Sequence, residues 1–199
     1  WHSHEMLFGY AVAIIAGFLL TAVRNWTGVN TPNGTPLILL ALLWLAGRLL
    51  PVLGGTIPGM AIALVDLAFL PAVALAIMPA LWQGQMKINR IFVPLLLVMA
   101  VANLLTHLQF LGLANTYSQG TDAMLYMIIL VIVFIGGRVM PFFTEAVLPD
   151  AKVKRNQPVE MTAAGALVAL VLVQMIFPHP WLTGALAAVV AITQIIRVI

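Results

Sequence analysis

The chain has 199 residues, 63% of them hydrophobic and 8% charged, with a mean hydropathy of +1.09 and no cysteine. A soluble domain carries about 25% charged residues, so this composition excludes one, together with a disulfide-built secreted scaffold, a thiolate metal centre and a disordered tail. Nine basic against six acidic residues give a pI near 9.7. No basic run exceeds Lys154-Arg155, so the excess reads as membrane topology and no nucleic-acid partner is expected. An all-α, polytopic transmembrane helix bundle in a lipid bilayer remains, with 1–199 forming a single domain.

A helical span needs about 20 predominantly apolar residues, and seven stretches qualify. In chain order the expected helices are Met6–Val23, Pro36–Leu53, Ile57–Met78, Ile91–Leu111, Ala123–Phe143, Met161–Phe177 and Leu182–Ile199. Turn-forming residues separate them: Asn30 to Gly34, Gly54-Gly55, Gln83-Gly84-Gln85, Pro149 to Pro158 and Pro178-His179-Pro180. The first stretch has no basic run before it and no small-residue cleavage site after it, so it reads as a span and not a signal peptide. The sequence starts on Trp1 without an initiator methionine and stops on Ile199 within an apolar helix. It is therefore expected to be an internal piece of a longer protein.

Short cytoplasmic loops collect Lys and Arg. Arg24, Lys87, Arg90, Lys152, Lys154 and Arg155 fall on one side of the membrane, against Arg48 alone on the other. The side without them is expected to be external. His2, His4, His107 and His179 all sort to that half.

Ionisable groups inside spans cost roughly 2.5 to 3.5 kcal/mol each and need a partner or a job. Arg48 lies about 7.5 Å and Asp66 about 13.5 Å below the external surface at 1.5 Å per residue, on antiparallel neighbouring helices. They can pair with each other, one can anchor a ligand or relay a proton, or Arg48 can snorkel outward unaided. Arg138 follows Gly136-Gly137 and precedes Pro141; close helix packing or a polar ligand group both account for it. Asn103 and His107, four apart, share one helix face. Imidazole serves equally as a packing residue and as a ligand for haem iron or copper. His2 and His4, two apart, point in nearly opposite directions on a helix and would then serve different sites. No Walker loop, H-E-x-x-H or G-x-S-x-G motif occurs. The ten methionines are scattered through the spans and read as core.

Several stretches resemble the NnrS family. His2-Ser-His-Glu-Met-Leu-Phe-Gly-Tyr10, Ala16 through Gly28, Leu43-Trp-Leu-Ala-Gly-Arg-Leu49, Asn103-Leu-Leu-Thr-His107 and Gly136-Gly-Arg-Val-Met-Pro-Phe-Phe-Thr144 follow its motifs in order. The resemblance implies a bacterial inner-membrane protein of about twelve spans, about seven of them here, that contains haem and copper and takes part in the nitric oxide response and denitrification. On that basis His4 and His107 are expected to bind haem or copper, with His2 a further metal ligand. Arg48 and Arg138 are expected to meet haem propionates. Glu5 is expected to orient an imidazole and Asp66 one of the two arginines, with Asn103 also placed behind the ligands. His179 lies outside the motifs and takes no role.

The leading expectation is thus a haem/copper protein that binds or handles nitric oxide and protects against nitrosative stress. The alternative is a transporter for a metal ion or small anion, with Arg48, Asp66 and Arg138 along the route. A haem enzyme that turns over nitric oxide ranks third, because no clustered His set is visible in the sequence. No catalytic residue and no protein partner is assigned.

Overall fold

The computed structural model describes residues 2–147, 157–176 and 179–198. They are helical apart from the connecting turns, without a named strand. Helix α1 is His2–Thr27, α2 is Thr35–Leu49 with a 3-10 extension Leu50–Leu53, and α3 is Gly59–Gln83. A 3-10 turn, Lys87–Ile91, leads into α4, Phe92–Phe110. Then follow α5, Tyr117–Val147, α6, Gln157–Ile176, and α7, Pro180–Val198.

Among the described residues, five helical segments are long and apolar enough to cross a membrane: His2–Thr27, Thr35–Leu53, Gly59–Gln83, Lys87–Phe110 and Tyr117–Gly137. Helices α6 and α7 hold shorter apolar stretches, Pro158–Gln174 and Pro180–Ile196. Several expected boundaries move, three of them for a clear local reason. α1 begins at His2 and not Met6, taking the polar His-Ser-His-Glu segment into the helix. α3 continues beyond Met78 through Pro79 to Gln83, as buried helices in membranes tolerate proline. α5 starts at Tyr117 because the Gln109 Oε1 of α4 accepts its backbone N–H at 2.8 Å, filling an orphan donor of the first turn.

Two compact units divide the chain, Trp1–Met124 and Leu125–Ile199. In the first, α3 packs against α1, α2 and α4. α1 and α3 run in the same direction, since Thr27 meets Gly84 at one end and His4 approaches Asp66 at the other. That first end carries Arg24, Lys87 and Arg90; Arg90 donates to the carbonyl of Trp82 at 3.0 Å and caps α3. Lys152, Lys154 and Arg155 lie outside the described residues.

Helix α2 is peripheral. Only 6% of its spanning window is buried, against 50% for Lys87–Phe110. Its apolar side chains Leu37, Ile38, Leu39 and Leu42 are exposed, a surface suited to lipid. In the second unit α6 packs along α7, with Thr183 donating to Gln174 Oε1 at 3.2 Å, and α6 buries Ala163, Leu167 and Val171.

Within the first unit, α4 and α5 meet at Gly120. A β-carbon there would stand 2.6 Å from the Ala102 carbonyl oxygen and 2.8 Å from Thr106 Cγ2. Small residues let helices in a bilayer approach this closely. Gly120→Ala should therefore destabilise the protein by about 1 to 3 kcal/mol, read as a lowered Tm in detergent. Gly17→Ala, at a helical glycine with nothing within 4 Å, should leave it unchanged or raise it by up to about 1 kcal/mol.

Candidate metal centre

The sequence of α1 sets up the site through an irregular start. Residues Glu5–Ala11 form a π-helix between the short α-helical turn His2–His4 and the regular helix from Val12. The wider π turn keeps His4, Phe8 and Val12, spaced by four, on one buried face. His2, two residues earlier, is exposed, as opposed directions on a helix require. π segments are sparsely used in proteins and frequently mark functional sites. This one also turns the Gly9 carbonyl toward α2, where Trp44 Nε1 donates to it at 3.0 Å.

Two glycines let the charged groups meet. A β-carbon on Gly9 would stand 3.0 Å from both Arg48 Nη1 and Glu5 Oε2, and one on Gly47 would stand 3.0 Å from Asp66 Oδ1. Their absence leaves room for the Arg48 side chain between α1 and α3. Arg48 Nη1 donates to Glu5 Oε1 at 2.8 Å, and Nη2 pairs with Asp66 Oδ1. Arg48 is 11% exposed, Asp66 5% and Glu5 24%. Arg48 thus pairs inward with two carboxylates and does not snorkel.

Asp66 is the hub. Its Oδ1 takes Arg48, while Oδ2 accepts Asn103 Nδ2 at 3.0 Å and His107 Nε2 at 2.8 Å. An ionised carboxylate only accepts hydrogen bonds, so Asn103 must turn its NH2 toward Asp66 and its carbonyl Oδ1 elsewhere. That Oδ1 faces His4 Nε2 at 3.1 Å. His4 therefore carries its ring hydrogen on Nε2, and so does His107. The other nitrogen of His4, Nδ1, stands 3.5 Å from Glu5 Oε1. Thr106 donates to the Asn103 backbone carbonyl at 2.7 Å and holds the amide in its turn.

The result is a buried His4, Asp66 and His107 group drawn from α1, α3 and α4, whose candidate ligand atoms all lie within 4.8 Å of one another. The imidazole rings meet edge to face with centroids 5.3 Å apart, and Phe8 and Phe110 cover them. A cavity of about 180 Å³ opens beside the three, walled by Gly47, Ile62, Phe110 and Leu111. The donor set of two imidazoles and a carboxylate suits a copper or zinc ion. A second cavity of about 380 Å³ lies beside Arg48, lined by Glu5, Gly9 and Trp44.

The expected residues thus separate. Asn103, Asp66, Glu5, Arg48, His4 and His107 come together. His2 is exposed on the same helix, and His179 is exposed in the second unit. The side chain of Arg138 lies outside the described residues. Gly9, Gly47 and Trp44 were not singled out from the sequence as functional; the signal available was their place inside the runs Phe8-Gly-Tyr10 and Trp44-Leu-Ala-Gly-Arg48, beside residues that were.

A bundle of apolar helices long enough to span a bilayer, closed around a buried His/Asp/His group, defines a polytopic membrane protein with a candidate metal centre. The family model described as NnrS protein matches residues 1–199, and the chain belongs to the NnrS family. That membership supports an NnrS-type protein of the nitric oxide response. No curated protein and no solved structure matches the chain.

The hub geometry ranks the carboxylates. Asp66→Asn leaves a buried guanidinium short of one counter-charge and should cost about 3 kcal/mol or more. Glu5→Gln removes a partner that is a quarter exposed and should cost no more than about 1 kcal/mol. Thermal unfolding in detergent, compared with the unmodified protein, measures both.

Proposed function

We propose that this protein is an NnrS-type inner-membrane protein that binds nitric oxide at a metal ion held by His4, Asp66 and His107, and that it thereby protects against nitrosative stress. The observation that carries the reading is the convergence of those three buried ligands from three spanning helices. Bonds of about 2.0 to 2.1 Å to imidazole nitrogen place neighbouring ligand atoms roughly 3.4 Å apart. His4 Nε2 and Asp66 Oδ2 stand 3.6 Å apart and His107 Nε2 and Asp66 Oδ2 2.8 Å apart, so small shifts make room for an ion.

The surrounding residues divide the remaining work. When His4 Nε2 serves as a ligand, the ring hydrogen sits on Nδ1, directed at Glu5 Oε1. A carboxylate behind a ligating imidazole fixes its tautomer and orientation. Arg48 holds Glu5 and the Oδ1 of Asp66, leaving Oδ2 for the ion. A bound copper ion would supply the electron-rich or Lewis-acidic centre that nitric oxide ligates. The largely apolar cavity beside it admits a small uncharged molecule that reaches the site through lipid. Copper is among the metals that imidazole donors suit.

The N-terminal His2/His4 segment is assigned to the external, periplasmic side, because Arg24, Lys87 and Arg90 gather at the opposite end. The whole protein is taken to have about twelve spans. Transport is the weaker reading, since Arg48 and Asp66 neutralise each other.

Full-length protein, purified and loaded with copper, should bind one equivalent per cluster by metal analysis. His4→Ala and His107→Ala should each reduce that occupancy at least tenfold, and the double variant should lose little more, because the ligands act as one unit. His2→Ala and His179→Ala should retain it. Full occupancy in the His4 and His107 variants would overturn the assignment.

A further inference from the structure

The cluster's charges do not balance. Glu5 and Asp66 contribute two negative charges, Arg48 one positive, and His4, His107 and Asn103 none when the imidazoles serve as neutral ligands. One negative charge is left over among buried helices. Resting on the metal-centre reading above, we propose that this net charge of minus one makes the site selective for a singly charged cation, and that Arg48 is the residue that sets it.

The physical reason is the low polarity of the surroundings. Burying an uncompensated charge is costly, and the cost rises steeply with its size. A monovalent ion brings the cluster to neutrality, whereas a divalent ion leaves it at plus one. Asp66 is 5% exposed and Arg48 11%, so water screens little of the charge at that pair, and Glu5, 24% exposed, is screened more. Imidazole donors suit copper, zinc, iron and nickel, and of these copper is the metal with a ready singly charged state. The inferred occupant is therefore copper in its reduced form. Arg48 touches neither the ion nor its ligand nitrogens; it acts through the two carboxylates that it bridges. The room for it comes from Gly9 and Gly47, the two positions where a β-carbon would stand 3.0 Å from this ion-pair network.

The test uses charge variants of the full-length protein. Copper(I), supplied anaerobically with a competing chelator, and copper(II) and zinc(II) are titrated separately, and the midpoint potential of bound copper is measured. Arg48→Gln takes the cluster to minus two and should shift preference toward the divalent ions by tenfold or more, lowering the potential by about 59 mV or more for a one-electron couple. Arg48→Lys keeps the charge and should behave as the parent protein.

Glu5→Gln takes the cluster to zero. It should weaken both oxidation states, copper(II) more than copper(I), and raise the potential. The Glu5→Gln/Arg48→Gln double variant returns the charge to minus one and should return the potential to within about the same 59 mV of the parent. Should Arg48→Gln fail to fold, Glu5→Gln alone still decides the sign. An unchanged or raised potential in Arg48→Gln, a lowered one in Glu5→Gln, or a double variant that tracks Arg48→Gln would overturn charge selection. Binding of copper that is indifferent to His4→Ala and His107→Ala would instead overturn the metal centre itself.

Discussion

A carboxylate in the middle of a membrane helix must be neutralised, and the first compact unit is organised around doing so for Asp66. Arg48 reaches it from α2, and Asn103 and His107 from α4; His4 of α1 joins through Asn103. Every helix that packs on α3 thus sends a polar group to the same point. The close approaches that permit this, at Gly9 and Gly47, follow from the same demand. Hydrogen bonds and ion pairs satisfy this buried network except at Arg48 Nε, which couples the placement of the two imidazoles to the folding of the unit.

The coupling has a chemical consequence. Because an ionised carboxylate offers no hydrogen, Asp66 dictates the orientation of the Asn103 amide, and the amide dictates which ring nitrogen of His4 carries hydrogen. The imidazole rings are therefore held in place by partners that are themselves buried, in a hydrogen-bonded form whose Nε2 hydrogen must leave before that nitrogen can ligate an ion. A small, largely apolar cavity opens beside the three side chains.

Much of this was legible in the residues. Hydrophobic length revealed the helices, the i, i+4 spacing of Asn103 and His107 correctly placed both on one face, and the antiparallel α2–α3 connection brought Arg48 within reach of Asp66. What the sequence did not disclose was convergence. His4 and His107 lie on helices far apart in the chain, so nothing local says that their rings meet. The π-helix at Glu5–Ala11 is equally silent, since it departs from the 3.6-residue period by which helical faces are read. It keeps His4, Phe8 and Val12 on one buried face, while the exposure of His2 follows from its two-residue offset from His4.

The central claim is that two imidazoles and one carboxylate form a single coordination sphere. X-ray absorption at the copper edge of the full-length protein tests it most directly. The account predicts a first shell of two imidazole nitrogens with an oxygen at about 2.0 to 2.2 Å, distances usual for such ligands, and the outer-shell scattering of two histidine rings. A first shell containing sulfur, or one without imidazole scattering, would contradict it.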